Sequence, residues 1–170
     1  LDLELGYIQS FKDILEVEEI FLNNLVDELS AKAKNIFSDF GVELPKLPKK
    51  IPTITLKDAQ ILIKKEYGRD NTNEPDLEPQ DEKDLSEYYL KNEDSDFVFV
   101  THFPTSKRPF YAYPSNEDPT VTDSFDLIDR GIEVATGAQR IHDYNQLIEK
   151  IKERKLDPKN FESYLDAFKF

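Results

Sequence analysis

From Ser10 to about Phe40, apolar residues such as Phe11, Ile14, Leu15, Phe21, Leu25, Leu29, Ala33 and Phe37 recur at three- and four-residue steps. That is the spacing of one face of a long helix, and Gly41 is a natural stop for it. Ahead of the helix, LDLELGYI alternates apolar and acidic positions, which predicts a strand at the very start of the chain. Leu44–Pro52 carries three prolines among lysines, a composition that excludes helix and predicts an extended connector. Thr55 is placed to cap a second helix, with Asp58 in its first turn, apolar positions at Leu56, Ala59, Ile61, Leu62 and Ile63, and Gly68 at its end.

Between Arg69 and Asp81 the composition turns to Asn, Asp, Glu and Pro, and residues 69–83 are expected to form a mobile surface loop. Asp84–Lys91 predicts a short helix, and DFVFVTHF (96–103) a strand of aromatic and β-branched residues. PFYAYP (109–114), TDSFDLI (122–128) and Gly131–Thr136 read as further strands. Short turns between these candidates imply antiparallel pairing rather than crossover units. Asp143 caps a helix to about Lys155, and Asp157-Pro158 opens another with Phe161, Tyr164, Leu165 and Phe168 inward. The fold class is α+β, an antiparallel sheet flanked by helices.

Composition narrows the functional range. With 35 Asp+Glu against 22 Lys+Arg over 170 residues the formal charge is −13, which repels phosphate backbones and argues against a general nucleic-acid-coating surface. No cysteine is present, so a disulfide framework and a thiolate zinc site are both excluded, and metal ligands must be oxygens or the two histidines. No apolar run is long enough to span a bilayer, and the N-terminus shows no signal-peptide pattern, so the chain reads as soluble and cytoplasmic.

The chemistry concentrates in FDLIDRGIEV. Any hairpin with an even-numbered loop puts Asp126 and Glu133 on one face of adjacent strands, and a loop of Asp129 and Arg130 would set them opposite each other. Two carboxylates roughly 5 Å apart repel unless a cation lies between them, and a hard divalent ion, Mg²⁺ first, resolves this. A solvent-facing hairpin whose acids confer solubility has the same spacing. Arg140 follows the small-residue run Thr136-Gly137-Ala138, where a ligand or another backbone could approach closely, and its planar fork suits a carboxylate or phosphate. An ion pair with a helix carboxylate is the competing reading. Ser106-Lys107-Arg108 either binds an anion or is a charged turn; His102 and His142 lack a neighbour that would make them metal ligands.

FPTSKRPFYAYP, DSFDLIDRGIEVATGAQRIHDY and LDPKNFESYLDAFKF together resemble the catalytic domain of class II aspartyl-tRNA synthetases of archaeal and eukaryotic type. The similarity is dense from about Phe97 to Phe170. LDLELGYI resembles the strand after that family's arginine-bearing second signature, and residues 9–96 match in pattern more than in identity. The resemblance implies that Glu133 binds Mg²⁺ and ATP, with Asp126 as its acidic partner at the metal. It implies that Arg140 grips the side-chain carboxylate of L-aspartate, that Thr136 stands where archaeal members commonly place a serine touching the amino acid, and that Asp2 belongs to the amino-acid pocket network. Lys107–Tyr111 would border that pocket.

The implied activity is that of an aspartate–tRNA ligase, making aspartyl-adenylate from L-aspartate and ATP and passing it to tRNA. No general base is needed, because the attacking α-carboxylate is already ionised at pH 7. Residues 1–170 are expected to be an internal part of one catalytic domain, without an anticodon-binding domain. The family's arginine signature is expected before Leu1 and its glycine-rich signature after Phe170. The complete enzyme is expected to be a homodimer. Two alternatives share these features: a paralogue that makes asparagine from aspartate through the same adenylate, and a catalytically silent interaction module.

Overall fold

The computed structural model describes residues 1–169. In chain order it contains α1 (Lys12–Lys32), α2 (Lys34–Asp39), β1 (Thr53–Thr55), α3 (Leu56–Tyr67), α4 (Pro79–Glu93), β2 (Phe97–Thr101), β3 (Ser124–Asp129), β4 (Ile132–Ala138), α5 (Tyr144–Glu153) and a one-turn α6 (Glu162–Leu165) between two 3₁₀ turns. The four strands form one sheet in the order β1-β2-β3-β4. β2 with β3 and β3 with β4 are antiparallel, as expected, but only the β3–β4 connection is short; residues 102–123 separate β2 from β3. β1 is parallel to β2, with Thr53 opposite Phe99, and this corrects the all-antiparallel expectation. Two helices, α3 and α4, separate those strands, and a connection of that kind returns the chain to the same end of the sheet.

β2 is buried along its whole length, so its alternating residues feed two cores. Val98, Val100 and Ile128 pack beneath α3 and α4 with Leu56, Ile63 and Leu85. Phe97, Phe99, Phe125 and Leu127 face the other way, onto Phe11, Leu15 and Ile51. Each fully buried side chain of this size stabilises by about 1.5–3 kcal/mol relative to exposure. A third cluster, Ile141, Leu147, Ile151 and Leu165, joins α5 and α6 to Phe110 and Tyr111. α3 starts where expected: the Thr55 hydroxyl accepts the Asp58 N–H at 3.1 Å, and Gly68 closes the helix at φ 73°. α5 starts at its Asp143 cap, which accepts the Gln146 N–H at 2.8 Å.

Several expectations are corrected. LDLELGYI is not a strand; among the described residues no strand pairs with it, and Leu1 and Leu3 are exposed. The Ser10–Phe40 helix breaks at Ala33; of its apolar face only Phe11 and Leu15 are buried, with Ile14 and Leu22 partly buried against the same core. The expected loop over 69–83 ends at Glu78: Pro79 opens α4, and Glu78 and Asp81 form a reciprocal capping box. Arg69 holds the loop's start by ion pairs to the buried Asp81 (2.7 Å) and Asp84 (2.6 Å). PFYAYP makes isolated bridges, Ala112 with Arg140 and Pro114 with Thr122, instead of a strand. The last predicted helix is split into 3₁₀ turns around α6. No helix among the described residues is long and apolar enough to cross a membrane.

Candidate functional site

The β3–β4 hairpin turns on Arg130 and Gly131, both left-handed at φ 49° and 80°, the conformation of a two-residue turn that suits the twist of the strands. The loop is therefore one residue later than the Asp129-Arg130 expectation. Asp129 pairs with Ile132 and Ile128 with Glu133, but a bulge then shifts the register so that Leu127 pairs with Ala135 and Asp126 with Thr136. Asp126 and Glu133 are thus not opposite each other, which corrects that part of the reading. They do share a face. The bulge also brings Thr136 onto it, where strict alternation from Glu133 would have turned Thr136 away.

Three side chains close a ring on that face. The Thr136 hydroxyl donates to Asp126 Oδ1 at 2.6 Å and accepts from Arg108 Nη1 at 3.1 Å, while Arg108 Nη2 lies 2.7 Å from Asp126 Oδ2. Asp126 and Arg108 are largely buried, at 8% and 17% side-chain exposure, so the pair is shielded from solvent screening. The guanidinium also lies over the Phe103 ring, 4.0 Å from its centroid. Of the two readings left open for Ser106-Lys107-Arg108, neither anticipated this: Arg108 points into the site, and Lys107 faces Asp76 at 3.7 Å.

Burial raises the Glu133 carboxyl above its ordinary range; repulsion from Asp126, Glu82 and Asp76 adds to this, and Arg108 opposes it. Burial likewise raises Glu82, again with Asp126 and Asp76 contributing. The site is therefore a concentration of acids around one guanidinium. Among the described residues no three acidic or histidine side chains converge tightly enough to hold a metal unaided. The donors are nonetheless hard oxygens in an acid-rich setting, and they suit an ion such as Mg²⁺, which commonly takes one or two carboxylates and completes its shell with water and ligand phosphates. Glu82 and Asp76 were missed from the sequence; nothing in spacing alone ties α4 or the preceding loop to the hairpin.

Arg140 leaves the end of β4 with its guanidinium paired to Glu4 and over the Tyr111 ring at 5.3 Å. The Tyr164 hydroxyl is close by: burial raises its pKa, and the positive Arg140 pulls it back. Asp2 is exposed, and it is Glu4 that meets Arg140. The space beside Gly137, expected to admit a ligand, is filled by Phe125, whose ring lies 2.5 Å from where a Cβ would stand. His142 stacks on Tyr113 and His102 pairs through Nδ1 with the Thr101 hydroxyl at 2.8 Å, both local packing roles.

A mixed four-stranded sheet backed by helices is the fold this chain shares with class II aminoacyl-tRNA synthetases. The family of tRNA synthetases class II (D, K and N) matches residues 1–170, and the chain belongs to it. An aspartate–tRNA(Asp/Asn) ligase from Deinococcus radiodurans is 42% identical over 175 residues, covering 100% of this chain and 40% of that protein. The aspartyl-tRNA synthetase of Entamoeba histolytica superposes with a TM-score of 0.87 at 28% identity, over 96% of this chain and 34% of that one. The asparaginyl-tRNA synthetase of Pyrococcus horikoshii, in complex with asparaginyl-adenylate, gives 0.83 at 28% identity, over 95% of this chain and 37% of that one. The chain thus spans about 40% of the length of the relatives it matches.

Proposed function

We propose that this chain is the substrate-binding part of an aspartate–tRNA ligase that activates L-aspartate with ATP and transfers it to tRNA. The observation that carries the proposal is that Asp126 and Glu133 share a face of the β3–β4 hairpin and Arg140 follows two residues beyond its end, in a chain whose relatives include named aspartate–tRNA ligases. Arg140 offers a permanently charged planar fork to the side-chain carboxylate of aspartate, and an amide in that place would forfeit the charge. Tyr111 beneath it and Glu4 beside it hold the fork in position. On this reading Thr136 borders the amino acid, and Asp2 would join its polar surround.

In the activation step an oxygen of the substrate α-carboxylate attacks the ATP α-phosphorus as the bond to pyrophosphate breaks. No proton has to be removed, so the protein's contribution is alignment and charge compensation. Glu133, with Asp126, would hold Mg²⁺, and Glu133 would thereby contact ATP. Mg²⁺, when bound, supplies neutralisation of phosphate charge. The same reading gives the complete enzyme L-aspartate, ATP and tRNA as ligands, a homodimeric assembly and a cytoplasmic location. The test is ATP–pyrophosphate exchange by the complete protein with Mg²⁺: exchange stimulated by aspartate and not by asparagine is expected, and exchange stimulated by asparagine alone, or by neither, would overturn the proposal.

A further inference from the structure

The Thr136 hydroxyl has one proton and two lone pairs to distribute. Its proton goes to Asp126 Oδ1 at 2.6 Å, since the alternative acceptor, the Phe125 carbonyl, is 3.4 Å away. One lone pair receives Arg108 Nη1–H at 3.1 Å. What remains to face a ligand is a single lone pair. Such a hydroxyl can accept from an ammonium or approach a cation, but it has nothing to donate to a carboxylate or phosphate. Its polarity is therefore fixed by Arg108 and Asp126 together.

Arg108 is itself held from three sides. Its guanidinium lies on the fully buried Phe103 at 4.0 Å, and Asp126 pairs with Nη2. Its backbone is latched from the end of α5, where Arg154 donates through Nη2 to the Thr105 carbonyl at 2.6 Å and to the Arg108 carbonyl. Nε and Nη2 are both buried without a hydrogen-bond acceptor, so Nη2 meets Asp126 Oδ2 as an ion pair and Nη1 alone makes a hydrogen bond, to Thr136. Only a planar, two-pronged cation reaches both Asp126 and Thr136; a lysine ammonium would carry the charge without the geometry.

We propose that Arg108 is a positioning residue of the amino-acid site: it fixes Thr136 as an acceptor-only contact, and its charge, standing among Asp126, Glu133, Glu82 and Asp76, limits how tightly the site takes a divalent cation. The amino-acid half of this rests on the aspartate-activation reading, and the cation half does not. The two are separated by measuring, in the complete protein, KM and kcat for aspartate in pyrophosphate exchange and, without ATP or aspartate, Mn²⁺ binding by electron paramagnetic resonance. Arg108→Ala is expected to raise KM for aspartate about 10- to 100-fold, the range for a lost hydrogen bond involving a charged group, with a smaller change in kcat. The same variant is expected to bind Mn²⁺ about 3- to 10-fold more tightly, because a nearby like charge is gone. Arg108→Lys should return Mn²⁺ affinity to the wild-type value while KM stays raised. Thr136→Val should raise KM similarly and add little to Arg108→Ala.

An Arg108→Ala protein with wild-type KM, or with unchanged or weaker Mn²⁺ binding, would overturn the inference. So would an Arg108→Lys protein with wild-type KM, which decides the matter if the alanine variant does not fold. If the wild type shows no aspartate-dependent exchange the functional reading falls, and the Mn²⁺ comparison still judges the role of Arg108.

Discussion

Thr136 hydrogen-bonds Asp126 across the β3–β4 pair at 2.6 Å, although an unbroken alternation from Glu133 would place Thr136 on the opposite face of the sheet. The bulge between the Leu127 and Ile128 pairings supplies the extra residue that brings all three onto one side. The two acids are consequently in different situations. Asp126 is buried and paired with Arg108, whereas Glu133 is more exposed and repelled by its acidic neighbours.

Opposite effects on stability follow from that contrast. Asp126→Asn leaves the Arg108 guanidinium buried without its counter-charge and is expected to destabilise the complete protein by about 2–4 kcal/mol. Glu133→Gln removes repulsion and is expected to leave stability unchanged or raise it by up to about 1 kcal/mol, while increasing the Mg²⁺ needed for activity. Denaturant unfolding of both variants, with a Mg²⁺ titration of exchange activity, measures this; the reverse order of stabilities would contradict the geometry.

Gly137→Ala should be costly for a reason unconnected with ligands. An added Cβ would stand 2.5 Å from the Phe125 ring, so strand or ring must shift, with an expected loss of about 1–3 kcal/mol. The two positions should be coupled: combined with Phe125→Leu, the glycine substitution is expected to cost much less than it does alone. Additive losses in the double variant would show that the contact does not matter.

Most of the fold was legible where local physics decides it. The Thr55 and Asp143 caps, the Gly68 stop and the aromatic β2 strand each carry their cause within a few residues. What was not legible depends on distant parts of the chain: the parallel pairing of β1, the absence of a neighbour for LDLELGYI, and the bulge that decides which residue faces Asp126. The site followed the same division. Glu133 and Asp126 lie on one hairpin and Arg140 just past its end, so all three could be named from one stretch, but Arg108, Glu4 and Glu82 reach the site from separate segments, and no spacing rule connects them.

Glu18 on α1 offers a pH test away from the site. Burial raises its carboxyl from 4.5 to about 7, so the folded state holds a proton that the unfolded chain releases. Its contribution to stability is full below about pH 4.5 and is lost as pH rises towards 7. Glu18→Gln is therefore expected to stabilise the protein by about 1 kcal/mol at pH 8, discounted for partial exposure, and to have no effect at pH 4. Unfolding midpoints at the two pH values check the sign; a benefit confined to pH 4 would contradict it.

The assignment depends most on what Arg140 holds. In the complete protein, Arg140→Ala should reduce kcat/KM for aspartate-dependent ATP–pyrophosphate exchange by at least about 100-fold, the loss of a paired, charge-assisted carboxylate contact, with the circular dichroism spectrum unchanged. Exchange kinetics with aspartate equal to those of the wild type would contradict the account.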